Sequence, residues 1–333
     1  MARLRNYQLN LALLALLCFL AFPAFAAGAN PGPQPIFVMQ DPVGDEKGPG
    51  TYVYPQSPVF GPGKGLFDLT KFEILADGGN YYFRLTMGAM NNPWGAPEGF
   101  SHQRIAIYID SVPNQGRTET LREGAFVDFD PGHGWEYLVD ILGWNNSRVY
   151  YFTDEKSFKG RTGMEVKLLS GTNTIQAKVP RKLLDDHPNT WALYVLVGGQ
   201  DGLGPDNFRQ VLEKPTEWQF GGGSDTYYDP NVLDLLDPGG SEHSQKSMLA
   251  SYNIVKGKLA VLVPVVLTEA PQDLPEGPSW WETSLVAVTA PFKVLWVTFP
   301  WKYYYPVYIA GGVAVILVIL LIVVNWYRYT HPE

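Results

Sequence analysis

Apolar and polar residues alternate in several short stretches of this chain, and the alternation has the period of a β-strand, in which successive side chains point to opposite faces. The clearest case is Tyr81 to Met87, where Tyr81, Phe83, Leu85 and Met87 are interleaved with Tyr82, Arg84 and Thr86. Arg104 to Asp110, Tyr137 to Leu142, Arg148 to Phe152, Thr174 to Val179, Trp191 to Val197 and Leu259 to Leu267 are similarly rich in β-branched and aromatic residues. Gly, Pro, Asn or Asp bounds each of them, the punctuation expected of strands joined by turns. Only Lys182 to Asp186 and Val232 to Leu236 have the spacing of short helical turns. The pattern predicts an all-β fold, an immunoglobulin-like or jelly-roll-type β-sandwich with long loops, over residues 37–267.

Two apolar runs break the alternation. Leu9 to Phe22 follows Arg3 and Arg5 and ends in Ala24-Phe25-Ala26, which reads as a signal peptide over residues 1–26 followed by a linker at 27–36. Val307 to Val324 is continuous apolar residues and glycine, close to the ~20 residues that span a hydrocarbon core. Trp301, Tyr303, Tyr304, Tyr305 and Tyr308 crowd one end of it, and Trp326, Tyr327 and Tyr329 the other, as side chains that favour the headgroup zone do. A transmembrane helix is therefore expected at 306–327, with a short cytoplasmic tail at 328–333 and the bulk of the chain outside. Between sandwich and helix, residues 268–305 form a Pro-rich and aromatic stalk that carries Pro271, Pro275, Pro278, Trp280 and Trp281. Its second apolar stretch, 285–299, holds Pro291 and Lys293 and is expected to lie on the membrane surface, with a second crossing as the alternative.

Charge narrows the partners. The chain carries 25 basic and 33 acidic side chains, net −8, and loss of Arg3 and Arg5 with the leader makes that −10. An acidic surface without a basic run disfavours nucleic acid and anionic glycans, and suits neutral sugars and divalent cations. The one cysteine, Cys18, falls in the leader, so no disulfide is expected in the module.

Two sets of residues are candidates for chemistry. Asp41 and Asp45, separated by three residues in a turn rich in Gly and Pro, and Asp68, after the Gly61-Pro62-Gly63 turn, are candidate metal ligands. Oxygen donors of this kind select calcium over zinc. Asp140 is a further candidate, and Asp225, Asp229 and Asn231 form a second acidic group or a solvated loop. Trp94, Trp135 and Trp144 each sit in a Gly- or Asn-containing loop, where a flat ring can stack on a pyranose, and are the candidate carbohydrate-binding residues; Trp191 and Trp218 read as core. No Gly-x-Ser-x-Gly elbow or His-Glu-x-x-His pair is present, and the chain reads as a non-enzyme.

The segments Asp41-Pro42-Val43-Gly44-Asp45-Glu46-Lys47-Gly48-Pro49-Gly50-Thr51-Tyr52, Phe67-Asp68-Leu69-Thr70-Lys71-Phe72, Asn92-Pro93-Trp94-Gly95, Tyr108-Ile109-Asp110, Gln200-Asp201-Gly202, Glu217-Trp218-Gln219-Phe220-Gly221-Gly222-Gly223 and Asp229-Pro230-Asn231-Val232-Leu233-Asp234 closely resemble the C-terminal binding module of glucodextranase. That S-layer-homology-like family lies in the wider DOMON and family 9 carbohydrate-binding group. The resemblance runs from Phe37 to Leu267. It implies a β-sandwich that binds sugars or cell-surface glycan, a recurrent structural calcium, and a sugar clamped between two tryptophans that no alignment places in this chain. Some DOMON relatives hold haem b, for which Met87, Met90 and His102 or His133 are the residues available here. The expected role is binding of neutral polysaccharide or cell-wall glycan, with docking to other envelope proteins, or haem-based redox work, as the alternatives.

Overall fold

The computed structural model describes residues 32–267, apart from 62–64, 122–123, 153–156, 185–186 and 203–206. The expected leader, stalk, membrane helix and tail lie outside the described residues. The alternating stretches form two antiparallel sheets. One runs in the order β1 (Gln34–Gln40), β2 (Leu69–Ala76), β3 (Asn80–Met87), β10 (Thr174–Pro180), β9 (Glu165–Leu168). The other runs β12 (Asp234–Leu235), β11 (Ala192–Gly199), β4 (Gln103–Asp110), β6 (Tyr137–Leu142), β7 (Arg148–Phe152), β8 (Phe158–Arg161), with β14 (Val265–Val266) also pairing β11. A short parallel pair joins β5 (Val127–Phe129) to β13 (Ala260–Leu262).

The main core lies between the two sheets. From the first sheet come Phe72, Ile74, Phe83, Leu85, Ile175 and Ala177; from the second, Ile105, Ile107, Ile109, Val139, Ile141, Leu193, Val195 and Val197. Every residue of β4 and β11 is buried, because the other face of the second sheet is covered too. There Ala106, Tyr108, Leu138, Tyr194 and Leu196 pack against β5, β13 and the helix α1 (Gln245–Leu249). Alternation survives in β3, whose even-numbered residues face outward, and disappears in the doubly covered strands.

All the alternating stretches become strands, with Leu259 to Leu267 divided into β13 and β14. Differences arise at the margins. Val232 to Leu236 does not form a helical turn: Asp234 and Leu235 pair with Val197 and Leu196 as strand β12, since a sheet edge offered their backbone partners. The turn at Lys182 is a short 3-10 helix over Arg181–Leu183. The expected linker at 27–36 ends inside β1, which begins at Gln34.

A buried ion pair fixes the centre of the second sheet. Arg104 Nη2 lies 2.7 Å from Asp140 Oδ1, with both side chains essentially sealed from water. Asp140 is therefore occupied by a guanidinium and is not a candidate metal ligand.

Candidate functional site

At one end of the sandwich four aromatic rings converge. Trp94 is carried by the loop after β3, where Asn92 closes a turn by donating from Nδ2 to the Ala96 carbonyl and accepting from the Ala96 amide, both at 2.8 Å. Gly95 sits at φ +67°, a conformation that favours glycine and lets the loop reverse directly after the ring. Trp218 arrives from the loop between β11 and β12, 124 positions later, and its carbonyl accepts from Arg209 Nη1 at 2.8 Å. The two indoles are 6.4 Å apart between centroids and inclined at 42°. Both are 39% exposed.

Buried Phe60 stands edge-on beneath them, 6.4 Å from Trp94 and 6.5 Å from Trp218. The His102 ring lies 4.5 Å from Trp94 and 4.8 Å from Phe60. Its Nε2 is 3.0 Å from the Val59 carbonyl, which also accepts from Asn91 Nδ2 at 3.0 Å. Burial, helped by the positive charge of Arg209, pushes the imidazole down to about 4, so it is neutral under the indoles at ordinary pH. The result is a shelf of two half-exposed indoles on a rigid aromatic floor.

The other loop tryptophans divide. Trp135 is fully buried, packed against Tyr108 and Phe152, and its Nε1 donates to the Glu119 carbonyl at 2.9 Å. It has no face left for a ligand, which corrects the expectation placed on it: the glycines before it let the chain approach another turn closely rather than present a ring. Trp144, 37% exposed, occupies the β6–β7 turn. Beside that turn runs a groove of about 330 Å³ lined by Pro97, Glu98, Asn145, Ser147, Met164, Glu165 and Val166. Trp191 is core, as expected, whereas Trp218 is not. Thr216 and Gly221 to Gly223 around Trp218 are the sequence signal of a loop there.

The acidic residues form a second centre. Asp41 follows β1, Asp45 lies in the next turn and Asp234 in β12, and one carboxylate oxygen from each falls within 4.8 Å of the others. The turn reaches β12 because Gly48 donates to the Leu233 carbonyl at 2.8 Å. A Cβ there would meet the Tyr52 ring at 2.4 Å. Gln245 of α1 braces the same turn, donating from Nε2 to the Asp45 carbonyl while its Oε1 accepts from the Leu235 amide.

Asp68 is adjacent rather than a member of this triad. Its Oδ1 accepts from the Gly44 amide at 2.9 Å and so holds the turn that carries Asp41 and Asp45. Asp234, which is not among the ligands expected from sequence, takes the third place, with Oδ2 accepting from the Leu69 amide at 2.6 Å.

Both oxygens of Asp41, Oδ1 of Asp45 and Oδ1 of Asp234 are buried without a hydrogen-bond partner of good geometry. Burial pushes Asp41 up to about 9, with the charges of Asp45, Asp237 and Asp68 adding to it and the nearby Asp237 amide only partly offsetting it. Asp45 is raised to about 6, first by burial, and Asp234 well above the carboxylate range, again by burial and then by Asp41 and Asp45. Three carboxylates this close, with Asp41 and Asp234 buried and Asp45 half-buried, require either protons or a cation at neutral pH. The all-oxygen donor set fits a hard divalent cation.

Asp225 stands exposed in its loop, with Gln210 Nε2 3.4 Å away, and the remaining candidates are committed elsewhere. Asp229 accepts from the amides of Ser224 and Thr226 and from the Thr226 hydroxyl, and Asn231 Oδ1 accepts from the Val211 amide, so both organise a loop. Met87 is packed in the main core, Gln103 Nε2 reaches Met90 Sδ at 3.7 Å, and His133 Nδ1 is 2.8 Å from Asp110 Oδ2.

A family profile described as the C-terminal binding-module, SLH-like, of glucodextranase matches residues 36–264. Among solved structures, a family 9 carbohydrate-binding module from Caldicellulosiruptor kristjanssonii, in complex with cellotriose, aligns at 13% identity over 40% of this chain and 59% of that chain, with a TM-score of 0.19. A superposition that loose carries no structural argument. No curated protein matches the chain.

Proposed function

The chain belongs to the family of C-terminal, SLH-like binding modules of glucodextranase, and from that premise we propose that it is a non-catalytic carbohydrate-binding module displayed on the outside of the cell. Its ligand is a neutral polysaccharide or cell-envelope glycan. The observation that carries the reading is the shelf made by Trp94 and Trp218, whose half-exposed indoles rest on Phe60 and His102. Flat apolar rings of this kind stack on the C–H face of a pyranose. At 6.4 Å and 42° the rings form one continuous inclined surface, too close for a sugar to be sandwiched between them, so the glycan lies across both. Trp144, on its separate turn, supplies a second contact to a longer chain.

Structural calcium is part of the proposal, held by Asp41, Asp45 and Asp234, with Asp68 positioning the turn. The calcium ties loops together and takes no part in a reaction. The C-terminal apolar run anchors the module in the membrane with its short tail in the cytoplasm, and the N-terminal run serves as its export signal.

Affinity electrophoresis of residues 27–271 through gels holding α-glucan, β-glucan or purified cell wall tests the reading. The expected result is retardation by one polymer that is lost in Trp218→Ala. A folded protein that no polymer retards would overturn it in favour of docking to another envelope protein.

A further inference from the structure

The hairpin from Asn253 to Lys258 places two aliphatic side chains where neither core nor sugar shelf has a use for them. Asn253 and Lys258 exchange both backbone hydrogen bonds, at 2.8 and 2.9 Å, and the four residues between them form a tight tip. The Lys256 amide donates to Asn253 Oδ1, and Gly257 takes φ +60° to complete the turn. At this tip Val255 is 97% exposed, the most exposed large hydrophobic residue among the described residues, and Ile254 is 44% exposed. Lys256 and Lys258 follow them and are exposed as well. The hydroxyl of Tyr228 lies 3.3 Å from where a Cβ on Gly257 would stand, and the preceding residue, Tyr227, is 78% exposed.

We propose that this tip inserts into the interface of a lipid bilayer, with Ile254 and Val255 entering the acyl boundary and Lys256 and Lys258 meeting anionic headgroups. The chemistry separates a membrane from other partners. β-Branched aliphatic side chains offer no flat face to a sugar ring. A convex tip of two residues is far smaller than the roughly 1,000 Å² that a stable protein interface needs. Aliphatic residues beside lysines, with an exposed tyrosine on the neighbouring turn, are the combination that lipid interfaces select. The two lysines are a local exception on an acidic chain, at net −8, whose overall charge opposes anionic lipid.

Weak insertion suffices if the module is tethered. The apolar run at Val307 to Val324 lies 40 residues beyond Leu267, and a tether of that kind raises the effective concentration of bilayer at the module into the millimolar range. To that extent the inference rests on the membrane-anchor reading. Insertion would also restrain the module on its tether and set how its sugar shelf is presented.

The test uses the full chain in a Cys18→Ser background, reconstituted into liposomes of phosphatidylcholine with or without phosphatidylglycerol. An environment-sensitive fluorophore is attached at Val255→Cys and, as the control, at Lys159→Cys on exposed strand β8. Insertion predicts blue-shifted emission at position 255, several-fold quenching by lipids spin-labelled near the headgroup, and dependence on phosphatidylglycerol that Lys256→Gln/Lys258→Gln weakens. Position 159 should show none of these. Unchanged emission at 255 in a chain that resists alkaline extraction would overturn the inference and leave the anchor standing. A chain released by alkali loses the anchor, and position 255 then still decides insertion on added liposomes. A shift seen in native membranes but in neither lipid mixture would assign the tip to a protein and overturn the proposal.

Discussion

An indole can serve a ligand only when one of its faces is spared by the core, and that condition sorts the tryptophans of this chain. Trp94 and Trp218 meet it together, since each is propped edge-on by Phe60 rather than covered. Trp94→Ala or Trp218→Ala should therefore weaken glycan binding by about 2 kcal/mol, roughly thirtyfold in Kd, with little change in the unfolding midpoint. Trp135→Ala should do the reverse: about 3–5 kcal/mol of stability lost to the cavity, with the shelf residues themselves untouched. Urea unfolding alongside gel retardation separates the two outcomes. Trp144→Ala should weaken retention of long polymers and leave the affinity for a trisaccharide unchanged, a split that titration with both ligands would read. Local sequence identified Trp94 and Trp144 as loop residues, but it could not separate Trp135 from them, because a Gly-flanked ring in a loop is tucked under or exposed according to what packs over it. His102 adds a pH dependence. Its folded-state value of about 4 lies below the usual 6.5, so the unfolded chain takes up a proton first as pH falls. Stability from this residue is complete above pH 6.5 and lost as pH falls through 4, by about 2 to 3 kcal/mol between pH 7 and 4.5. His102→Gln should remove that component from the pH profile of urea unfolding.

Strands and turns carry the residues to these positions, and they were unevenly legible. A strand with one face covered, such as β3, writes its burial as alternation, so Tyr81 to Met87 was readable directly. β1, β5, β8 and β9 are short or partly exposed and carry little alternation, and in β2 a register shift between Leu69 and Lys71 breaks the pattern. β12 has only two residues and exists because β11 presents an open edge, a tertiary fact that no local pattern contains. That strand carries Asp234, so the third acidic ligand was hidden together with its element. The β6–β7 turn makes a sharper element-scale prediction. A Cβ at Gly143 would lie 1.7 Å from the Phe100 carbonyl oxygen, a backbone atom with no rotamer through which to yield. Gly143→Ala should push the turn away from the 96–100 segment, costing about 1–3 kcal/mol or more. Because that segment continues from the Trp94 loop, glycan retention should fall with stability. Gly78→Ala, whose Cβ would meet nothing within 4 Å, is the control and should leave both unchanged.

At the scale of the whole molecule, the acidic centre joins parts of the module that are remote in sequence. Asp41 and Asp45 lie beside the first strand, while Asp234, Asp237 and Gln245 belong to its last quarter. A cation there closes a loop of nearly two hundred residues in a module with no cysteine, the position in which a cross-link constrains the unfolded chain most. Without the cation the same centre should stabilise the fold only in acid. Asp41 at about 9 and Asp45 at about 6 hold protons that the unfolded chain releases near 3.8. Their contribution is therefore complete below pH 3.8 and lost as pH rises through 6 and then 9. In chelator, the thermal midpoint should fall from pH 5 to pH 8, once the opposing histidine component is removed with His102→Gln. Calcium at a hundred times its Kd should add about 2.7 kcal/mol at pH 8, or about 5–10 °C for a module of this size. Asp234→Asn should abolish most of that calcium response while raising the midpoint in chelator, because it removes a buried ionisable carboxyl together with a ligand. A calorimetric series over pH, with and without calcium, reads all of these outcomes. A midpoint indifferent to both calcium and Asp234→Asn would mean that the carboxylates share protons and the loops are held by hydrogen bonds such as those of Gly48, Asp68 and Gln245.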